Sequence, residues 1–415
     1  MTVRIMQKTR IQLCLVSLLV IAVMVGSACA PKTYQEPAEP TVPPVPQEYQ
    51  SLYEELGNEL SAFELVLKQK WDGSRNDTTF ATELSFANGN IGEGLLRPET
   101  LENNRILLDF LQNMGIQGVV LSIKYPLLEP TFPRSTEYLS FYKQIVTEIR
   151  RHNMKVLVET GAVFAGTAFS SVQVDWSKYT SASFLKGMQD QLVLIAHEIK
   201  PDYLTLTEEP GTQEMLTKLH FTLNDWTNFI ETTLKRLDRS GEMLVGAGMG
   251  SWDDATYVTA FLGIDGLDYL DMHIYPPGNN GVFLERALNT ALQVKAAGKR
   301  FTVGESWLYK ATIAEITGSP GVDEDAFNRD TYSFWYPLDA RFIEDIMDMA
   351  DAGKMDFVSF FWMRNFLAYL DYSTSTKDLS TAELNRLINQ TVLINLKLGV
   401  LSPLGQFYEE QLLGR

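Results

Sequence analysis

Two glutamates, Glu209 and Glu305, each end a short apolar run that is typical of a buried β-strand. The first run is YLTLTEEP over 203–210, and the second is FTVGESW over 301–307. A pair of carboxyl groups can cleave an acetal bond, because one protonates the departing oxygen while the other attacks or stabilises the anomeric carbon. Two strand-end glutamates therefore favour the chemistry of glycoside hydrolysis, provided that the fold brings them together.

Strand-like runs alternate with amphipathic segments through most of the chain. The strand candidates cover about 78–87, 118–125, 155–162, 203–209, 243–249, 269–275, 301–307 and 357–363. The helix candidates cover about 99–114, 136–152, 181–199, 224–239, 253–262, 283–297, 338–352 and 381–398. Such alternation indicates a parallel sheet, and eight strand–helix units close naturally into a barrel. We therefore predict an α/β fold, a single (β/α)8 TIM barrel over 78–398.

An open, doubly wound sheet is the competing fold, and it usually carries a glycine-rich turn after its first strand. The segment ANGNIGEG at 87–94 lacks the spacing of a dinucleotide fingerprint, and no helical pattern begins within it. The two cysteines, Cys14 and Cys29, both lie near the N-terminus, so the body can hold neither a disulfide nor a thiolate metal site. We predict no cofactor.

The N-terminus has the features of an export signal, namely basic residues followed by an apolar run. Small residues directly before Cys29 resemble the bacterial lipoprotein cleavage box. We predict a signal peptide over 1–28, lipidation of Cys29 and anchoring at the outer face of a membrane. The alternatives are an ordinary secretory signal and an uncleaved membrane anchor. The proline-rich segment 29–50 is predicted to be an extended tether. A helical lead-in over 51–77 and a C-terminal extension over 399–415 flank the barrel.

The charge of the chain limits its partners. The net charge is −17, and an acidic body repels the phosphate backbone, which argues against nucleic acid as a partner. The hydrophobic content of 45% suits one large globular body with a sizeable core. A carbohydrate substrate and a membrane contact through the lipid anchor are the partners that remain.

Active sites of such barrels lie at the C-terminal ends of the strands, and alternation along each strand predicts which side chains face the axis. On the fourth strand, Leu204 and Leu206 share the parity of Glu208, which is therefore predicted to face the helix shell. Glu209 has the opposite parity and is predicted to face the barrel axis. On the sixth strand the same alternation predicts three axial residues: Asp271, His273 and Tyr275.

With these motifs the chain resembles the clan A superfamily of retaining glycoside hydrolases. That group carries an acid/base glutamate at the end of strand four, usually within Asn-Glu-Pro, and a nucleophilic glutamate at the end of strand seven. It often has His-x-Tyr on strand six and a tryptophan ending strand eight. The matching positions here are Glu209 with Pro210, Glu305, His273 with Tyr275, and Trp362. The resemblance covers about 78–370 and implies a surface-anchored enzyme that acts on a β-linked poly- or oligosaccharide.

The resemblance also implies a role for each residue. Glu209 would be the general acid and then the general base, and Glu305 would be the nucleophile of a double displacement. Tyr275 would orient Glu305 through a hydrogen bond, and no catalytic metal is implied. The remaining predicted substrate-binding residues are Glu208, His273, Lys124, Trp307, Trp362 and Trp252.

Two departures from the family pattern keep other functions open. Glu208 stands where the family has asparagine, and Lys124 stands on the second strand where it has arginine. Lysine keeps the positive charge but loses the planar fork of arginine. These changes favour, as an alternative, a non-catalytic glycan-binding lipoprotein with a glycosidase-like barrel. A third hypothesis is a metal-dependent lyase or isomerase that uses Glu83, Glu159 and Glu209.

Overall fold

The computed structural model describes residues 42–239, 241–279, 281–318 and 324–415. Eight parallel strands follow one another around a closed barrel, and the eighth pairs with the first. The strands are β1 (Thr79–Glu83), β2 (Gly118–Ser122), β3 (Lys155–Glu159), β4 (Tyr203–Thr205), β5 (Leu244–Gly250), β6 (Tyr269–Ile274), β7 (Arg300–Ser306) and β8 (Phe357–Phe360). The prediction of a single (β/α)8 barrel is confirmed.

Helices cover the outside of the barrel, and each of the eight predicted helices is present. The described helices are α1 (Gln50–Lys70), α2 (Pro98–Asn113), α3 (Ser135–Arg151), α4 (Ser181–Glu198), α5 (Pro210–Thr217), α6 (Leu223–Leu234), α7 (Thr256–Leu262), α8 (Val282–Ala296), α9 (Ile313–Gly318), α10 (Glu324–Arg329), α11 (Tyr336–Gly353), α12 (Arg364–Leu367), α13 (Thr381–Leu398) and α14 (Pro403–Leu413). The short helices α5, α9, α10 and α12 lie in loops that follow strands, at the end of the barrel where the predicted site lies.

Both faces of the strands are buried, as expected for parallel strands enclosed by helices. Every residue of β2 and of β6 is buried. Inside the barrel, apolar side chains from alternate positions form one cluster that fills its lower part. They are Ala81, Val120, Leu157, Tyr203, Tyr269 and Phe357. Because this cluster closes the axis below, polar side chains further along the strands can gather only at the C-terminal mouth.

The lead-in helix α1 lies against α11. Its buried face consists of Leu52, Leu56, Leu60, Phe63 and Leu67, with Glu59 among them. Tyr53 stacks on Trp335 with ring centroids 5.6 Å apart. Regular structure already begins with a short 3-10 helix at Gln47–Tyr49, within the last residues of the predicted tether. The predicted signal peptide, Cys29 and most of the tether lie outside the described residues.

The C-terminal extension contains α14, which packs on the barrel through Tyr408 and Phe366, whose rings stack at 5.0 Å. Among the described residues, no single helix has both the length and the apolar character needed to cross a membrane. The helices α13 and α14 satisfy that test only when taken together, with a bend of 49° between them.

A bulge in β7 sets the direction of Glu305. Asp271 on β6 pairs with Thr302 on β7. His273 lies two residues after Asp271, but its partner Glu305 lies three residues after Thr302, so β7 has one extra residue here. The extra residue turns Glu305 toward the axis, where Thr302 also points to donate a hydrogen bond to Asp271. Gly304 lies in this bulge, and a Cβ atom there would come within 2.7 Å of the Asp271 carboxylate. Glycine is therefore needed for this close approach.

Candidate active site

The barrel mouth opens into a cavity of about 1110 Å³. This exceeds the usual range of about 300–1,000 Å³ for small-molecule pockets, so it has room for an oligosaccharide. Nearly all of the residues that sequence analysis placed in the site line it. They are Glu209, Glu305, Glu208, His273, Tyr275, Lys124, Trp362 and Trp252.

One imidazole joins the two predicted catalytic glutamates. Nδ1 of His273 lies 2.7 Å from Oε1 of Glu209 and 3.5 Å from Oε2 of Glu305. These two carboxylate oxygens therefore lie no more than the sum of those distances, about 6.2 Å, apart. On the other side of the ring, Nε2 lies 2.6 Å from Oε2 of Glu159, which is fully buried. Strands β3, β4, β6 and β7 thus meet at His273.

Glu305 is held by a neighbouring hydroxyl. The Tyr275 hydroxyl donates a hydrogen bond of 2.7 Å to Oε2 of Glu305, the contact that the family resemblance implies. Burial raises the pKa of Glu305 above its ordinary value, although the positive charges of His273 and Lys124 oppose the shift. Glu305 therefore binds a proton more readily than a free glutamate does.

Glu209 has the opposite electrostatic environment. Burial alone would raise its pKa, but the hydrogen bond and the charge of His273 outweigh burial and lower the pKa of Glu209. His273 is itself cationic there. Burial would lower its pKa, but the carboxylates of Glu159 and Glu305 and its hydrogen bonds hold it well above the ordinary value.

The backbone at Glu209 is left-handed, with a φ of 32°, which is uncommon for a residue with a Cβ atom and typical of functional sites. Helix α5 begins at the next residue, Pro210, in the position that proline favours. Asp253 fixes this turn, because its carboxylate accepts hydrogen bonds from the backbone N–H groups of Gly211 at 3.2 Å and Gly250 at 2.8 Å. The turn therefore holds Glu209 in one orientation.

Glu208 also faces the cavity, so the prediction that it faces the helix shell is wrong. It forms a buried ion pair with Lys124, with Nζ and Oε1 2.5 Å apart. Alternation fails here because the regular strand β4 ends at Thr205, although Leu206 and Thr207 still form backbone hydrogen bonds with Gly246 and Gly248 of β5. Burial would lower the pKa of Lys124, but Glu208 and Glu305 raise it above its ordinary value, so the lysine remains charged.

The three predicted tryptophans have different positions. Trp307 does not line the cavity, which corrects its predicted role as a substrate contact. It is 1% exposed, and its indole N–H donates a 3.0 Å hydrogen bond to Asp330. Trp362 lines the cavity and donates to the other oxygen of Asp330, while the Arg364 guanidinium lies 3.8 Å from the centroid of its ring. Trp252 lines the cavity at its rim and is 37% exposed.

Solved structures of other proteins share this architecture. A GH5_18 protein from Bifidobacterium longum subsp. longum matches with a TM-score of 0.52 at 15% identity, covering 81% of this chain and 78% of that chain. A variant of the GH5_18 protein in complex with Manβ1-4GlcNAc gives 0.51 at 14% identity, with the same coverage. The exo-β-1,4-mannosidase Op5Man5 from an Opitutaceae bacterium gives 0.52 at 11% identity, covering 83% of this chain and 60% of that chain. This chain has the fold of these glycoside hydrolases.

The sequence itself matches no protein-family model and no curated protein. At identities this low, the likeness to the glycoside hydrolases extends to the barrel and not to individual side chains. Any role for Glu209 and Glu305 must therefore be argued from the geometry of the site in this chain.

Two further carboxylates belong to the site, although sequence analysis considered them only as metal ligands. Glu159 ends β3 and is hydrogen-bonded to His273, and burial raises its pKa well above the ordinary value. Glu83 ends β1, accepts a 2.5 Å hydrogen bond from Asn88, and has a pKa raised to about 8 by burial and by the charge of Glu305. Each is the last residue of its strand, and that position is the feature of the sequence that could have placed both residues in the site.

A metal ion would have to use a different set of residues from the one predicted. Among the described residues, one group has donor atoms close enough to hold an ion, namely Glu159, His273 and Glu305, all within 4.8 Å of one another. Both nitrogens of His273 are hydrogen-bonded to carboxylates, Nδ1 to Glu209 and Nε2 to Glu159. Glu83 and Glu209, two of the three residues in the metal-dependent hypothesis, do not belong to this group.

Proposed function

We propose that the protein is a retaining glycoside hydrolase that acts on β-linked oligo- or polysaccharides. The observation that carries the proposal is the approach of Glu209 and Glu305 to the same nitrogen of His273 within one cavity. The nearer oxygens of the two groups are at most about 6.2 Å apart. This is compatible with the separation of about 5–5.5 Å between the two carboxyl groups of retaining enzymes.

The reaction would proceed in two displacements. Glu209 gives its proton to the departing glycosidic oxygen while Glu305 attacks the anomeric carbon and forms a glycosyl-enzyme ester. Glu209 then takes a proton from water, whose oxygen attacks the same carbon and releases the Glu305 carboxylate. Tyr275 orients Glu305, and the charged amine of Lys124 favours the carboxylate form.

The roles require the opposite protonation from the one that these pKa shifts favour. Glu209 must carry the proton, whereas its hydrogen bond to His273 lowers its pKa. We infer that a bound glycoside replaces His273 as the partner of Glu209, which raises the pKa of Glu209. The imidazolium then acts mainly on Glu305, 3.5 Å away, and favours its ionised form.

Trapping of the glycosyl-enzyme tests the proposal. A mechanism-based 2-deoxy-2-fluoro glycoside should label Glu305, and mass spectrometry of a digest would locate the label. The named activities of the structural neighbours make β-mannosides the first probes to try. Glu305→Gln should abolish both labelling and turnover, whereas Glu54→Gln, an exposed control on α1, should change neither. Normal turnover by Glu305→Gln would refute the assignment.

A second candidate function is glycan binding without cleavage. The buried pair of Glu208 and Lys124 favours it, because a carboxylate next to the proposed acid cannot donate a hydrogen bond to a sugar hydroxyl as an amide can. Calorimetric binding of a β-linked oligosaccharide that stays intact after prolonged incubation would support this function over hydrolysis.

We also propose that the protein is exported and attached to a membrane through Cys29. The small residues before this cysteine and the apolar run upstream support the proposal. Cys29→Ser should move the protein from the membrane fraction to the soluble fraction of the producing cell, and it should prevent incorporation of a labelled fatty acid. Unchanged fractionation and labelling would exclude the anchor.

A further inference from the structure

The loops after β3 and β7 meet above the barrel mouth. The rings of Phe169 and Phe327 lie edge to face with centroids 5.3 Å apart. Beside them, the backbone N–H of Ala168 donates a 2.8 Å hydrogen bond to the carboxylate of Glu324. We call these four residues the roof. In a closed barrel of eight sequential strands, β3 and β7 are diametrically opposite, so a direct contact between their loops has to cross the mouth.

The roof lies close to the proposed catalytic groups. Phe169 and Phe327 line the same cavity as Glu209 and Glu305. The ring centroid of Phe327 is 6.5 Å from that of Tyr275, and Tyr275 donates its hydroxyl hydrogen bond to Glu305. One layer of aromatic rings therefore separates the roof contact from the proposed nucleophile.

Other contacts support the β7 side of the roof. Phe327 packs edge-on against Tyr309, with centroids 5.1 Å apart, and against Trp362, with centroids 6.0 Å apart. The neighbouring Asn328 side chain donates a 2.7 Å hydrogen bond to the hydroxyl of Thr381 at the start of α13. The helix that carries Phe327 is thus attached to the barrel and to the cavity wall.

The β3 side of the roof is tied to the loop after β1. The side-chain oxygen of Asn90 accepts from the backbone N–H of Phe164 at 2.9 Å, and its carbonyl accepts from the N–H of Ser171 at 3.0 Å. The hydroxyl of Ser171 donates to the carbonyl of Ile91 at 2.6 Å. Because β1 and β3 flank β2, these bonds also close the side of the mouth above β2.

The cavity meets solvent on the two flanks of the roof. Besides Ala168 of the roof, its exposed lining residues include Trp252, after β5 on one flank. On the other flank they include Arg97, in the segment before α2, and Asn389, on α13. A glycan that lay across the mouth would have to break the roof. A glycan that enters from a flank has to pass one of its ends beneath the roof.

Building on the proposed function, we infer that the protein attacks β-linked glycans from a chain end, because the roof formed by Ala168, Phe169, Glu324 and Phe327 excludes internal segments. The substrate class is an oligo- or polysaccharide with an accessible terminus. The requirement for a chain end is the same whether sugar enters from one flank or from both, because a glycan can pass beneath the roof only by one of its ends.

The full chain, purified in detergent, allows a direct test. Aryl β-mannoside, β-glucoside and β-galactoside first establish which sugar is released, and the matching soluble β-1,4-linked polymer is then digested. We expect reducing ends to accumulate with almost no loss of viscosity, and a single product length from the earliest time points. A rapid fall in viscosity with products of mixed lengths would overturn the inference, even though the proposed function would stand.

Variants of the roof test its role. Phe169→Ala combined with Phe327→Ala should open the mouth and raise the viscosity loss per bond cleaved several-fold. Glu324→Ala, a milder surface change that removes only the hydrogen bond to Ala168, should give a smaller increase. Tyr257→Ala, which removes an aromatic ring outside the cavity, should match the unaltered protein. An active opened variant with unchanged product lengths would overturn the inference.

Failure of the proposed function gives a different result. In that case no aryl glycoside releases its phenol, and Glu305 takes no label from a fluorosugar. Internal cleavage together with a labelled Glu305 would contradict only the role of the roof.

Discussion

Nδ1 of His273 lies 2.7 Å from Oε1 of Glu209, so the proposed acid/base is hydrogen-bonded to a buried cation. The opposite nitrogen contacts Glu159, and Asp271 lies 3.7 Å from the same atom. The imidazolium is therefore surrounded by carboxylates from β3, β4, β6 and β7. Its charge offsets part of theirs, and its loss should change the titration of the whole site.

His273→Gln should shift the pH profile of kcat/KM to higher pH on both sides. The positive charge lowers the pKa of Glu209 and opposes the rise in the pKa of Glu305, so its removal raises both. In the free enzyme, whose pKa values kcat/KM reports, the acid limb follows the lower pKa, that of Glu209, and the alkaline limb follows the higher pKa, that of Glu305, so both limbs move upward. His197→Gln, at an exposed position, provides the control. An unmoved profile would show that His273 does not tune these carboxylates.

Glu209→Ala should affect substrates according to their leaving groups. Proton donation by a positioned acid contributes about 10²–10⁴-fold, and only leaving groups that need the proton lose that factor. We expect kcat/KM, which reports the first displacement, to fall by about that amount for an alkyl or sugar leaving group and to fall much less for a dinitrophenyl glycoside. Steady-state kinetics on both substrates measure the difference. Equal losses would mean that Glu209 is not the acid.

The sequence predicted the fold and the central pair because both depend on local patterns. Eight apolar runs separated by amphipathic segments are visible in the chain, and Glu209 and Glu305 lie just beyond two of these runs. Glu208 was misassigned because strand alternation was extended past Thr205, where the regular strand β4 ends. Strand length depends on neighbouring strands, and no local pattern reports it.

Contacts between distant loops were not predictable in the same way. Trp307 follows Glu305 by two residues, which suggested a cavity position. It is buried instead, because Asp330 accepts its indole hydrogen bond and Lys310, also buried, pairs with that carboxylate at 3.0 Å. The contact between Phe169 and Phe327 likewise joins loops on opposite sides of the barrel, and only the closed fold brings them together.

A comparison of Trp307→Phe with Trp362→Phe should distinguish a tryptophan in the core from a tryptophan in the cavity wall. Each removes one N–H donor to Asp330, and loss of a partner by a buried polar group costs about 1–3 kcal/mol. Both variants should therefore lose stability to urea by about that amount. Only Trp362→Phe should also raise KM for an oligosaccharide, because only Trp362 lines the cavity. A comparable rise in KM for Trp307→Phe would contradict its placement in the core.

Asp345, far from the site on α11, should make stability depend on pH. It is 4% exposed, one of its oxygens has no hydrogen-bond partner, and burial followed by the charge of Glu64 raises its pKa to about 8. In the unfolded chain an aspartate titrates near its ordinary value of about 3.9. Between about pH 4 and pH 8 the folded state keeps a proton that the unfolded state has lost, so stability falls as the pH rises through this interval.

Asp345→Asn should remove this dependence. The variant and the unaltered protein should unfold at similar urea concentrations near pH 4, where the native carboxyl is neutral. Above about pH 8 the variant should be the more stable one, because the unaltered protein then carries an unpaired buried charge. Urea midpoints from pH 4 to pH 9 measure the effect, and Asp265→Asn provides the same substitution at an exposed position. Parallel pH curves for Asp345→Asn and the unaltered protein would show that Asp345 is ionised in the folded state at neutral pH.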